Sequence, residues 1–209
     1  METPALPEDL VYSRCARLLA VQHAVAEIAG GRKVDADPEA LKEAVALTRK
    51  AVRSVDGAYA CIIGGLAVQE HGYQRWTDDL DVVVDAEHFS LVLDALRAMN
   101  FRITPKGWLE NRETGARIDL LKEGVKLHDS NLPLPHPKEL GKNGGFATVA
   151  SIIRLKLDSG GRMKDLADIV ELLKLRIDES DAIALQLPVS LQSQYAQLVV
   201  QARRELGNS

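Results

Sequence analysis

Cysteine is scarce: Cys15 and Cys61 are the only two in 209 residues. One falls in a helix-like run and the other in a strand-like run, so neither a disulfide framework nor a cysteine metal site is suggested, and a reducing, cytoplasmic setting is expected. The chain also lacks any apolar run long enough to span a bilayer. Its first residues, METPALPEDL, lack the basic-then-apolar order of a secretory leader, so no membrane role is expected. A positive excess is missing too. With 26 Lys and Arg against 30 Asp and Glu the net charge is -4, which leaves no general electrostatic footprint for nucleic acid, although a local basic patch stays open. What remains, 46% apolar and 27% charged, is the composition of a globular protein with a substantial core.

The chain is organised around residues 61–85, CIIGGLAVQEHGYQRWTDDLDVVVD. Tyr59 to Ile63 is a short apolar run that stops at Gly64-Gly65, as a buried strand stops at a tight turn. Leu66 to His71 suits one or two helical turns, which Gly72 ends. From Asp79 to Asp85 the side chains alternate, so Leu80, Val82 and Val84 face one way while Asp79, Asp81 and Val83 face the other. Two carboxylates therefore share a face, and their repulsion asks for a cation. Hard, oxygen-seeking Mg²⁺ is the natural candidate, with Mn²⁺ an alternative, because such an ion takes one or two carboxylates and fills its shell with water and substrate phosphate. The Gly-Gly turn and the helix start behind it are expected to bring backbone amides close to that phosphate.

Ile63-Gly64-Gly65, a spacer, and Asp79-Leu80-Asp81-Val82 together resemble the signature of the nucleotidyltransferase superfamily typified by DNA polymerase beta and the kanamycin nucleotidyltransferases. Arg75 and Thr77, in R-x-T-x-D-L-D, are similar to the branch holding bacterial toxin-type and antibiotic-type transferases. The likeness covers residues 59–121 well and the remainder loosely. It implies Mg²⁺ at a two-metal site of Asp79, Asp81 and a third acid on a neighbouring strand, with Asp119 in Arg-Ile-Asp-Leu-Leu at the matching place. It also implies a nucleoside triphosphate held by Gly64, Gly65, Arg75 and Thr77. In those transferases a helical region after the sheet carries a Lys and then a charged cluster, which Lys156 and Arg162-Met163-Lys164-Asp165-Leu166-Ala167-Asp168 resemble. Lys156, Arg162, Lys164, Asp165 and Asp168 thus join the nucleotide-binding candidates.

Each of these residues has a plainer reading. Asp119 could be a surface acid paired with Arg117, Asp79 and Asp81 could lie on a solvated edge strand, and the 162–168 cluster could be ordinary helix-surface ion pairs. Against the last, Asp165 precedes Ile169 and Leu172 at helical spacing, which tilts it toward the packed side.

The expected fold is α/β: a small mixed, largely antiparallel sheet flanked by helices, with a helical C-terminal part. The expected divisions are N-terminal helices at 1–57, a catalytic core at 58–127, a proline- and glycine-rich loop at 128–145 and a helical part at 146–209. Helices are read from Pro7 to Gly30 and from Asp37-Pro38 onward, with Leu41, Val45 and Val52 on one face of the second. Phe89, Val92, Leu93, Leu96 and Met99 predict another, which Asn100 closes in the left-handed conformation. His128 and His136 in the proline-rich loop read as surface residues. Later helices are expected over Ala147–Leu157, Arg162–Leu175 and from Pro188 to Glu205.

The function this supports is metal-dependent transfer of a nucleoside monophosphate from a nucleoside triphosphate to an acceptor hydroxyl. The acceptor, whether a tRNA end, a protein or a small molecule, is left open. The alternative is a non-catalytic nucleotide-binding or toxin–antitoxin-type interaction protein, joined to a partner or a second copy through its N-terminal helices.

Overall fold

The structure, a computed structural model, describes residues 38–127, 130 and 132–207. The helix read from Pro7 to Gly30 and His128 lie outside the described residues.

The first described element, α1 (Pro38–Arg53), carries Leu41, Val45 and Val52 buried on one face, as its spacing predicts. It is followed by β1 (Ala60–Ile63), the short α2 (Gly64–Glu70), β2 (Leu80–Val84) and α3 (Phe89–Ala98). Asn100 stands just past α3 at φ 72°, the left-handed stop expected of it. Next come β3 (Phe101–Ile103), β4 (Leu109–Asn111) and β5 (Arg117–Lys122). With β6 (Gly145–Phe146) from later in the chain, the sheet order is β3-β4-β5-β2-β1-β6, with β5 parallel to β2, β6 parallel to β1 and the other pairs antiparallel. This is the mixed, mostly antiparallel sheet of the expected α/β class.

The joining segment is more structured than its prolines imply. It contains α4 (Pro137–Leu140) and β6 (Gly145–Phe146), so the sheet gains an edge strand from a region read as loop. Pro137 sits at the first helical turn, where a missing N–H costs nothing, and His136 caps that turn by accepting from the Lys138 N–H at 3.0 Å. Asn143 fixes the edge: its Oδ1 accepts from Ala60 N–H and its Nδ2 donates to Ala58 O, both at 2.9 Å.

The C-terminal part is helical, as expected: α5 (Val149–Asp158), α6 (Met163–Leu175), α7 (Ser180–Ala184) and α8 (Val189–Gly207), with a single 3₁₀ turn at Ile177–Glu179 before α7. Among the described residues no helix is long and apolar enough to cross a membrane.

Strand alternation divides the core in two. Leu80, Val82 and Val84 of β2 with Ile62 and Ile118 pack against α1 and α3. Cys61, Ile63 and Val83 on the opposite face pack against α5, α6 and α8. Asp81 belongs to this second face, two positions before Val83, so the apolar cover stops just where the carboxylates begin.

Candidate functional site

Where the helical cover stops, a cleft of about 540 Å³ opens between the sheet and α5–α6. Every residue proposed above from sequence lines it except Asp168. The parallel register of β2 and β5 sets Asp81 level with Asp119, and Asp79 precedes Asp81 on the same side. On the other side stand Lys156 from α5 and Arg162, Lys164 and Asp165 from the turn and start of α6.

The acidic side is under electrostatic load. Burial, then the charges of Asp79 and Asp119, push the Asp81 carboxyl up to about 7, outweighing the opposing pull of Lys156 and Arg75. Asp119 is also raised, by burial first and by Asp79 second. Arg117, the neighbour that would have made Asp119 an ordinary surface ion pair, lies instead 3.9 Å from Glu110. Among the described residues no cation is bonded to Asp79, Asp81 or Asp119.

The helical side is the reverse, a continuous chain of paired charge. Lys156 Nζ donates to Asp165 Oδ1 at 2.8 Å and to Asp168 Oδ2 at 2.6 Å. Arg75 Nη1 donates to Asp168 Oδ2 at 2.8 Å, and Arg162 Nε to Asp165 Oδ2 at 2.7 Å. Burial raises Asp165, but the hydrogen bond and charge of Lys156, then those of Arg162, prevail and hold it below the usual carboxylate range. Asp165 and Asp168 therefore position the cations. Asp165 also lines the cleft beside them, whereas Asp168 is not part of its lining.

Thr77, in the cleft lining, also has a partner within the protein. It is buried, and its Oγ1 donates to Asp79 Oδ1 at 3.1 Å, so its hydroxyl serves the carboxylate. Gln69, which sequence reading passed over, is buried and donates from Nε2 to Arg75 O, fixing the loop that delivers Arg75 and Thr77. Its signal was slight: a polar residue within an otherwise apolar helical turn.

The two glycines are required at closer range than a phosphate cradle. Gly64 has φ +68°, and a Cβ there would lie 1.8 Å from Asp81 Oδ2. At Gly65 it would lie 2.6 Å from Thr77 Oγ1. Bare backbone at these positions lets the start of α2 sit against the Asp81 carboxylate and against Thr77, which bonds Asp79.

Among the described residues, no group of three or more His, Cys, Asp or Glu side chains could by itself hold a metal ion. The donor set nevertheless fits Mg²⁺ of the kind that needs few protein ligands: it consists of hard carboxylate oxygens without a paired cation, one of them driven toward protonation by burial and then by its acidic neighbours. The remainder of the cleft is apolar apart from Ser159, lined by Ile63, Leu121, Leu127, Ile152 and Leu155.

In comparisons with known proteins, no family model matches this chain and no curated protein matches it.

Proposed function

We propose that the protein is a metal-dependent nucleotidyltransferase, moving a nucleoside monophosphate from a nucleoside triphosphate to an acceptor hydroxyl. The observation carrying this reading is the polarity of one cleft: Asp79, Asp81 and Asp119 on its sheet side, and Arg75, Lys156, Arg162 and Lys164 in the same lining. A cation-bound polyphosphate has the matching polarity.

Asp79 and Asp81 would hold Mg²⁺, with Asp119 at the same register completing the acidic side. Bound there, the ion would supply charge neutralisation for the triphosphate. Lys156 keeps one N–H beyond the two it gives to Asp165 and Asp168, and Arg75 keeps further N–H groups, so both can donate to phosphate without releasing their acids. In the reaction the acceptor oxygen forms a bond to the α-phosphorus, the bond from that phosphorus to the β-bridging oxygen breaks, and pyrophosphate leaves with the electron pair. Asp119 would take the acceptor's proton.

Incubation with each α-³²P nucleoside triphosphate, Mg²⁺ and a cell extract tests the reading. Label should pass to an acceptor in wild type and not in the Asp79→Asn variant. Calorimetry showing no binding of any Mg²⁺–nucleoside triphosphate would instead favour an interaction protein.

A further inference from the structure

Outside the cleft, the sheet face that bears Asp119 continues across β4 and β3. Register pairs Arg117 of β5 with Glu110 of β4, and Glu110 with Arg102 of β3. Leu109 pairs with Ile118 on the buried face, and Trp108, just before β4, turns the opposite way against Arg117, on the face that bears Asp119. The Trp108 ring is half-buried and two cations stand over it, Lys106 Nζ at 5.1 Å and Arg117 Cζ at 5.3 Å from its centroid, so a stacking group enters by displacing one of them. Among the described residues, the helices packed on this half of the sheet, α1 and α3, lie on its other face with Leu109 and Ile118.

We infer that this strip binds the 3′ end of a single-stranded nucleic acid, with a base stacked on Trp108, phosphates on Lys106, Arg117 and Arg102, and the terminal hydroxyl delivered to Asp119. The inference rests on the proposed transfer reaction and names its acceptor. A small acceptor would need only the cleft. Cations running outward from Asp119 to a side chain as exposed as Arg102 (57%) suit a polyanion that extends beyond it. Glu110, at 2.8 Å from Arg102 and 3.9 Å from Arg117, tethers both guanidiniums to the sheet face and offsets part of their charge, so binding should be moderate and weaken with salt. An aromatic ring beside cations is the arrangement that grips single strands without sequence preference.

The test is fluorescence anisotropy of the full chain with a 5′-labelled 12-nucleotide RNA at low salt. Trp108→Ala should weaken binding about 5- to 150-fold, the range for loss of one stacked base. Trp108→Phe should recover most of it, and Arg97→Ala, which removes a charge from the exposed surface of α3, should leave it unchanged. Lys106→Gln, in an exposed turn where misfolding is not a concern, should weaken binding and flatten its salt dependence. Failure of the wild type to bind, equal binding by Trp108→Ala, or transfer of label to a small molecule unaffected by Trp108→Ala overturns the inference. Calorimetry with Mg²⁺–ATP reports separately on the transfer reading. Strand binding without nucleotide binding would sink that reading and leave the surface; nucleotide binding without strand binding would do the opposite.

Discussion

Asp81→Asn should stabilise the metal-free protein while removing its response to Mg²⁺. Asp81 is moved from 3.8 to about 7 because burial and the carboxylates of Asp79 and Asp119 oppose its charge. Between these two values the folded protein holds a proton that the unfolded chain has released, so wild-type stability falls as pH rises through the window and stays low above it. A displacement of that size corresponds to about 4 kcal/mol at pH 8, which solvent reaching a half-buried carboxyl reduces to about 1–3 kcal/mol. For a chain of this length that is a rise in Tm of about 2–12 °C. The asparagine cannot ionise, so its advantage should be largest at pH 8 and vanish near pH 4. Adding Mg²⁺ should raise the wild-type Tm by mass action and move the variant much less. Thermal unfolding followed by circular dichroism at both pH values, with EDTA and with Mg²⁺, reads all four arms. A variant no more stable than wild type at pH 8, or one with an undiminished Mg²⁺ response, would refute the reasoning.

Lys156→Met should cost about 3–5 kcal/mol in urea denaturation, because it leaves Asp165 and Asp168 buried without the ammonium they share; adding Asp165→Asn and Asp168→Asn should recover much of the loss. Gly64→Ala should both destabilise the fold and abolish transfer, since its methyl group falls on the Asp81 carboxylate and its φ is left-handed; parent-like melting and turnover would contradict the contact. Asp85 is held below its ordinary value: burial opposes ionisation, but the Tyr59 N–H at 2.6 Å and the ring and N–H of His88 outweigh it. Its contribution is present above pH 3.8 and lost as pH falls through the depressed value, so Asp85→Asn should lower stability at pH 7 and flatten the acid limb of the stability profile.

The sequence made part of the acidic side legible because strand alternation is a period-two signal: Asp79 and Asp81 share a face once β2 is a strand, while the β2–β5 register that sets Asp119 beside Asp81 came from the sheet. The α5–α6 cations were legible as a cluster but not in their roles. Whether Lys156 points at a ligand or at Asp165 and Asp168 depends on how two helices pack, and helical spacing says nothing of that. β6 was hidden for a related reason. Two residues, Gly145 and Phe146, carry no alternation to detect, and their strand character comes from β1 beside them. Thr77 matched a motif in its identity, while its bond to Asp79 emerged only from the turn that folds it back.

The span between Arg75 and Asp168, 93 residues, bears on synthesis of the chain. A nascent protein emerging from the ribosome presents the three clustered carboxylates as soon as β5 has paired with β2, well before the counter-charged helices exist. Until α6 is made, that sheet face lacks the apolar cover supplied by Ile169, Leu172 and Leu173. The repulsion among the acids is then unopposed by Lys156 and by an Arg75 held in place. The incomplete chain is thus a half-site, and the last helices both cover its apolar face and complete the cleft.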